Sequence, residues 1–492
     1  MKPDIVIILA DDIGYGDFAC YNPRSRIPTP AIDSLAGKGA IFTDAHSASA
    51  VCTPSRYSLL TGRYCWRTPL KRSVLYSYEP PLIETWRPTL ASVLKGAGYA
   101  TACIGKWHLG LGYRSLEGRP VDFSRPLPWN EADRDLEESI DFSAPVAGGP
   151  LELGFDRFFG TSGCSTCQPP YGFIEGDSFI RPPSRYIDRF PYTGRPGMSS
   201  PGWSHAEADP AFARAAVEFI ESRRGLTRPF FLYLAPSAAH EPCVEETVPR
   251  FARGRSGAGA RGDLVWLFDW MVAQVVDALA RADRLDSTAI FVTSDNGALP
   301  GDRVLTAAGV EEYRTYGHAS CGDLRGWKSH IWEGGHREPL IASWPSFIEP
   351  GTRCSALLGL NDLPATLAEM AGTAFPPGAA EDSRSFLPLL LGRKTADPIR
   401  EDLIHHSGAG VFSLRSGKWK LIHESPGSGG WPPPAGGGPS PGSPGQLYDL
   451  ERDPGERDDL FASERAVARE LTGRLLEMTG AASRDLPRPR DG

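Results

Sequence analysis

Ten side chains in this sequence are of types that can do chemistry together, and they fall into two sets joined by a cysteine. Asp11 and Asp12 in "LADDIG" and Asp295 and Asn296 in "TSDNG" offer hard oxygen donors. With no cysteine or histidine among them, these four favour calcium or magnesium over zinc. Taken singly, "DD" and "DNG" are also common turn formers and helix caps. The second set is cationic: Arg56, Lys106, His108, His240 and Lys328 suit an anionic group and the charge that develops on it. Lys106 and His108 stand two apart in "GKWHLG", on one side of the chain if the strand continues. Lys328 lies in "RGWKSHIWEGGHREP", whose glycines imply a loop that something approaches closely. Cys52, in "VCTPSRYSLLTGR", precedes what reads as the first turn of a helix, with Arg56 four residues on. A helix start supplies unpaired N–H groups and positive dipole to an anion.

The elements that must position these residues share one habit. "DIVIILADD", "YATACIGKWH", "PFFLYLAPSAAH" and "TAIFVTSDNG" are nearly continuous apolar runs that end in the polar residues just named. Runs of this kind suit strands buried on both faces of a parallel sheet. Between them, "RPTLASVLKGAG", "PAFARAAVEFIESRR" and "DLVWLFDWMVAQVVDALARAD" have helical spacing. The alternation predicts an α/β fold with a large doubly wound, mostly parallel sheet, where ligands sit at the carboxyl ends of strands. After the helix "LNDLPATLAEMAG", the stretch "TAFPPGAAEDS" reads as a linker. The division expected is residues 1–375 as a catalytic domain and 376–492 as a smaller C-terminal α+β subdomain. The latter holds a hairpin in "VFSLRSGKWKLIH", a Pro/Gly/Ser-rich loop over 425–445 and a terminal helix in "SERAVARELTGRLLEMTG".

The 492 residues carry a net charge of −8, with 41% hydrophobic and 23% charged residues, which argues for a globular enzyme scaffold and against a nucleic-acid surface. No apolar run approaches the ~20 residues of a membrane helix. The opening "MKPDIVIILADD" has a run of six apolar residues closed by two aspartates, and reads as a core strand, not a leader. Localisation stays open: export requires a leader already removed. Nine cysteines make no disulfide framework. The lone CxxC of Cys164 and Cys167 lacks the second pair that a zinc site would want, so a local disulfide or two buried thiols is expected.

"CTPSRYSLLTG" matches the signature Cys-x-Pro-Ser-Arg-x-x-x-Leu-Thr-Gly of the type I sulfatases. "DDIGYGD", "GKWHLG", "SDNG", "WEGGHREP" and "LYDLERDPGERDDL" resemble sulfatase segments in the usual order, so the resemblance spans most of the chain. The sequence is thus similar to the formylglycine-dependent, arylsulfatase A-like members of the alkaline phosphatase superfamily.

The resemblance implies a role for each position. Cys52 would be oxidised to formylglycine by a formylglycine-generating enzyme, and the aldehyde hydrate would attack sulfur. Asp11, Asp12, Asp295 and Asn296, with the modified Cys52, would hold one Ca2+, and Asp295 is the candidate base. Arg56 and Lys106 would stabilise the ionised diol, His108 would orient it, Lys328 would neutralise the sulfate oxygens and His240 would protonate the leaving alkoxide. His318 and Arg325, just before Lys328, are assigned to the substrate's leaving group. Asp17 is expected to buttress the calcium loop, and His336 and Arg337 could be structural. The segment 112–210, rich in aromatics and arginines, is expected on the pocket rim. The substrate implied is a sulfated carbohydrate, on galactose-type sugars, or an aryl sulfate ester; nucleic acid and membrane partners are not expected. Phosphate or phosphonate ester hydrolysis, which in relatives brings further metal ligands, and non-catalytic binding of sulfated glycans are the alternatives.

Overall fold

The computed structural model describes residues 2–121, 134–188, 195–305, 311–431 and 444–480. Residues 432–443 of the expected Pro/Gly/Ser-rich loop, and 122–133 and 189–194 of the expected rim, lie outside them. Seven strands build the centre: β1 (Asp4–Ala10), β2 (Ala40–His46), β3 (Ala100–Lys106), β4 (Arg157–Thr161), β5 (Phe230–Ala235), β6 (Thr288–Ser294) and β7 (Arg337–Ser343). They run in the order β2-β7-β6-β1-β5-β3-β4, with short strands extending both edges. From β6 to β4 every pairing is parallel, while β7 is antiparallel to β6 and to β2.

The continuous apolar runs have a simple physical reason. In β1, Ile5, Ile7 and Leu9 enter one hydrophobic core, and Val6, Ile8 and Ala10 enter the other. Successive side chains point to opposite faces, so a strand covered on both sides must be apolar throughout. Each buried Ile, Leu or Val contributes about 1.5–3 kcal/mol. Helices α1 (Cys52–Thr61), α2 (Leu90–Gly96) and α5 (Leu363–Met370) cover the first face; α3 (Ala208–Glu221) and α4 (Gly259–Arg281) cover the second. Thr89 caps α2 by accepting from Ser92 N at 3.1 Å, and Leu90 and Leu94 are buried, whereas Val93 is only partly so. The doubly wound architecture read from the sequence is the one observed. No helix among the described residues is long and apolar enough to cross a membrane.

The C-terminal part is a four-stranded antiparallel meander, β8 (Asp402–His406), β9 (Phe412–Ser416), β10 (Trp419–His423) and β11 (Gly445–Asp449), followed by α6 (Arg465–Thr479). The Ser-Gly turn predicted between β9 and β10 is present, with Gly417 in the left-handed region at φ 53°. Ala468, Leu471 and Leu475 of α6 share a core with Leu403, Leu414, Leu421 and Leu447, and with Tyr64 and Trp66 from the N-terminal part.

A buried polar seam joins the meander to the large sheet. The Lys420 ammonium lies 3.0 Å from His336 Nε2, His336 Nδ1 lies 3.1 Å from His46 Nδ1, and His46 Nε2 lies 2.9 Å from Asp44. His405 stacks on His336 with centroids 3.9 Å apart. Glu333 and Glu456 also face Lys420, and Arg415 and Arg337 face Asp44. His336 and Arg337 are therefore structural. Burial, together with neighbouring His and Lys charge, holds the His336 and His405 rings well below the usual imidazole range. Both are neutral when folded and take up protons when unfolded, so their contribution is complete above about 6.5 and lost as the pH falls below it. The melting temperature is expected to fall with acidification, and to fall less steeply in His405→Phe, which keeps the stack without a titrating nitrogen. An identical slope in that variant removes His405 from the account.

Candidate active site

Sheet register brings the chemistry-bearing residues to one edge. β1 and β6 pair Ala10 with Ser294, so Asp11 and Asp295 leave the sheet side by side. β3 pairs with β5 up to Gly105 and Ala235, which carries Lys106 to the same edge, with His108 and His240 on the loops that follow. The main-chain N–H of Asp12 donates to Asp295 Oδ1 at 3.3 Å.

Cys52 is the first residue of α1, after an extended Val51, and is only 2% exposed. Its Sγ is 3.6 Å from Asp11 Oδ1, and burial pushes its thiol up despite Lys106 and Lys328 nearby. One turn on, the fully buried Arg56 donates to Asp295 Oδ2 from Nε at 2.9 Å, and lies 3.5 Å from Asp11 Oδ1. Lys106 Nζ donates to Asp11 Oδ2 at 2.7 Å. Burial opposes the charge on Lys106, yet Asp11 outweighs it and holds the ammonium above its usual range. Burial raises Asp11 in turn, but Lys106, His240 and Arg56 carry it well below the carboxylate range. Asp295 goes the other way: burial, aided by Asp11 and opposed by Arg56, pushes it up to about 6.

His108 Nε2 donates to the carbonyl of Leu75 at 2.9 Å, and Nδ1 is buried without a hydrogen-bond partner. Burial, Lys106 and Arg56 all hold the ring well below the imidazole range, so it is neutral. Lys328 Nζ donates to Asp12 Oδ2 at 2.6 Å and lies 3.0 Å from His240 Nε2. Nδ1 of His240 donates to the Glu241 carbonyl at 2.8 Å. Burial works against a charged His240 and Cys164 works for it, with the balance above the ordinary range.

Asp11, Asp12, Asp295 and Asn296 fit a hard divalent cation. One oxygen of each carboxylate, Oδ2, is bonded to a cationic side chain, while Oδ1 of Asp11 and of Asp295 has only partners at 3.3 Å or beyond. Asn296 donates from Nδ2 to Asp12 Oδ1 at 2.7 Å, which leaves its Oδ1 buried without a hydrogen-bond partner. An amide oxygen left over among three carboxylates is the kind of donor such a cation takes. The loops that carry Asn296 and Lys328 interlock. Lys328 N donates to the Ala298 carbonyl at 2.9 Å, and a Cβ on Gly297 would stand 1.9 Å from the Gly334 carbonyl oxygen.

All ten residues of the two sets and Cys52 thus face one another at a single buried site, except that His318 and Arg325 are not brought there. His318 Nε2 is 2.8 Å from Asp17, and Arg325 donates to the Tyr448 hydroxyl and the Glu456 carbonyl while lying 3.7 Å over the Trp332 ring. Proximity in sequence to Lys328 misled: the turn at Gly326 (φ 80°) sends Arg325 into the C-terminal seam. Asp17 does brace the acidic loop, accepting from Gly14 N and from both terminal nitrogens of Arg261 at 2.9 and 2.6 Å.

Arg261 is a residue that sequence reasoning missed. It also donates to the Asp12 carbonyl at 2.9 Å, from the first turn of α4 in "GARGD", just before the apolar run begins. Arg261→Met leaves the buried Asp17 with His318 and the Gly14 N–H but without its guanidinium, and should cost about 3–5 kcal/mol in denaturant unfolding. A change below 1 kcal/mol, on the order of an exposed ion pair, would sink that assignment.

Of segment 112–210, the stretch Cys164–Gln168 reaches the site: Cys167 Sγ is 3.7 Å from His240 Nδ1 and Gln168 Nε2 donates to the Leu75 carbonyl at 3.3 Å. Cys164 and Cys167 are buried free thiols, not a disulfide. The mouth is shaped elsewhere too. Val74 packs against Cys52 and Val51, with Tyr76 beside it. Ser73 N donates to the Gly408 carbonyl, Gly408 N to the Ser329 carbonyl, and Trp431 N to Ser329 Oγ. The Trp431 ring lies over Gly408 and is 46% exposed.

A family model for sulfatases matches residues 3–373. The chain belongs to the sulfatase family. It is a sulfuric ester hydrolase. This sulfatase is 33% identical to an N-acetylgalactosamine-6-O-sulfatase of Bacteroides thetaiotaomicron over 97% of the chain and 93% of the relative. It is 33% identical to arylsulfatase A of Bos taurus, over 95% and 85%. A solved "6S-sulf" structure, from work on the metabolism of multiple glycosaminoglycans by Bacteroides thetaiotaomicron, superposes with a TM-score of 0.79 at 30% identity, covering 97% of this sulfatase and 99% of that chain. A sulfatase from Pseudoalteromonas sp. gives 0.70 at 22% identity, over 100% and 92%, a likeness of fold alone.

Proposed function

We propose that this sulfatase cleaves the S–O bond of a sulfate monoester on a carbohydrate, releasing inorganic sulfate, with Cys52 converted to formylglycine as its nucleophile. The observation that carries this is the convergence of Cys52 with the hard-oxygen set and the cationic set in one buried site at a helix start. Asp11, Asp12, Asp295 and Asn296, with the modified Cys52, would hold Ca2+, which when bound would grip and polarise a sulfate oxygen. The aldehyde hydrate supplies a hydroxyl nucleophile that an unmodified side chain lacks.

The residues then divide the work. Asp295, beside the Asp11 that touches Cys52 Sγ, is the candidate to accept a proton from the nucleophile. Arg56 and Lys106 hold positive charge against the anion that forms, and the free Nδ1 of the neutral His108 accepts a hydrogen bond that orients it. Lys328 neutralises the sulfate oxygens, and His240, 3.0 Å from it, protonates the departing alkoxide. Maturation calls for a formylglycine-generating enzyme as partner. Conversion lowers the mass of the Cys52 peptide by about 18 Da, and an unmodified thiol in an active preparation would sink the nucleophile.

The relatives' names point to 6-O-sulfated N-acetylgalactosamine as the first sugar to try, with an aryl sulfate as a simpler substrate. Sulfate release from each, against phosphate release from the matching aryl phosphate, tests the reaction. A higher kcat/KM on phosphate would overturn the assignment. Residues 1–375 are read as the catalytic unit and 376–492 as a unit that lends it Trp431. An exposed indole at the mouth suits the apolar face of a pyranose. Trp431→Ala is expected to raise KM for the sulfated sugar about tenfold, on the order of 1.4 kcal/mol, and to leave the aryl sulfate unchanged. Equal effects on both substrates would make Trp431 a structural residue.

A further inference from the structure

Cys164 and Cys167 are not used by the reaction proposed above, yet they are built into its site. Both thiols are buried, and one ligand atom from each of Cys164, Cys167 and His240 lies within 4.8 Å of the other two. The loop that carries them is anchored. Cys164 Sγ is 3.0 Å from Thr166 Oγ1, whose hydroxyl donates to the Glu241 carbonyl at 2.7 Å, and Cys164 N donates to Gln168 Oε1 at 3.0 Å. The thiol pair is thereby tied to the His240–Glu241 segment, about 75 residues away in sequence.

The geometry points to a second cation site in this enzyme, for a thiophilic divalent metal such as Zn2+, made by Cys164, Cys167 and His240. Two sulfurs at C-x2-C spacing are a zinc-type half-site, and the lack of a second pair is met here by an imidazole from a distant loop. Sulfur and nitrogen donors select soft and borderline metals, whereas the oxygen set around Asp12 selects hard ones. The two sites are neighbours, since His240 Nε2 is 3.7 Å from Asp12 Oδ2. Two thiolates balance the charge of the ion. Binding releases the proton of each thiol still protonated; the metal takes the place of the Nδ1 proton of His240 and of its hydrogen bond to the Glu241 carbonyl, and Nε2 carries the one proton of the neutral, metal-bound ring. Three protein ligands leave a fourth position open.

The consequence for catalysis rests on the role given to His240 above. A ring held by the metal at Nδ1 keeps its proton on Nε2 as a far weaker acid than an imidazolium, so the occupied site switches the enzyme off, and a zinc-selective chelator, with Ca2+ kept in excess, restores it.

Cd2+, titrated with calcium in excess into C52A protein, tests the site by a readout that needs no activity. The C52A background removes the other nearby thiol. The ultraviolet sulfur-to-cadmium charge-transfer band should saturate at one ion per chain, persist when Cys243→Ser is added, and weaken at least about a hundredfold in affinity when Cys164→Ser or Cys167→Ser is added. No band in folded C52A protein, as judged by circular dichroism, overturns the site without recourse to the further variants, and so does a band that survives loss of both thiols. Zn2+ inhibition of the matured enzyme, absent in Cys167→Ser, then tests the switch. An enzyme without sulfatase activity whose band still forms would refute the reaction and leave the metal site standing.

Discussion

Replacing Cys52 by alanine abolishes turnover, lowering kcat/KM by at least about ten-thousandfold, while the protein still folds. The size of the effect follows from position. Cys52 opens α1, where Asp11 touches its sulfur and Arg56 and Lys106 bind Asp11. The cationic groups would still bind sulfate, so the loss should fall on kcat and leave KM little changed. Fold survives because the substitution removes one sulfur atom and leaves Val51 and Val74 packed together. Sulfate release and thermal unfolding of the same preparation decide it, and activity within tenfold of the parent would end the role of Cys52.

Removing the divalent cation should cost both activity and stability. In its absence three buried carboxylates depend on Arg56, Lys106 and Lys328, and Asn296 Oδ1 has no hydrogen-bond partner. An ion that binds only the folded state adds about 2.7 kcal/mol when present at a hundred times its dissociation constant. Chelation is expected to lower the melting temperature and sulfate release together, and Ca2+ to restore both. Unchanged unfolding after verified removal of metal would contradict a buried cation at Asp11, Asp12, Asp295 and Asn296.

What the sequence made legible is what short-range pattern encodes. β1 is apolar from Ile5 to Ala10 and β6 from Ala289 to Val292 because both faces are covered, and the polar residues that follow them mark the edge where ligands sit. Cys52, Lys106, His108, Asp295 and Asn296 follow from such ends and from a compact motif. Arg261 does not, since its partner Asp17 lies 244 residues away. The seam of His46, His336, His405 and Lys420 is hidden for the same reason: it joins strands that meet only after folding. His318 and Arg325 show the converse, two residues next to Lys328 whose turn geometry takes them elsewhere. Trp431 follows a stretch so rich in Gly, Pro and Ser that its composition concealed a well-placed ring.

The interlock at Gly297 bears on how such an enzyme can be altered. Gly335 is as confined as Gly297, with a Cβ there 2.0 Å from the His330 carbonyl oxygen. Random libraries spread over these two loops would yield mostly dead clones, because any change must satisfy the partner loop in the same step. Segment 74–76 holds no such glycine, and in 428–431, where a Cβ on Gly430 would stand 2.3 Å from the Ser329 carbonyl oxygen, the half-exposed Trp431 is the open position. Laboratory selection for a new sugar should therefore accumulate its mutations there, and leave the chemistry inherited intact.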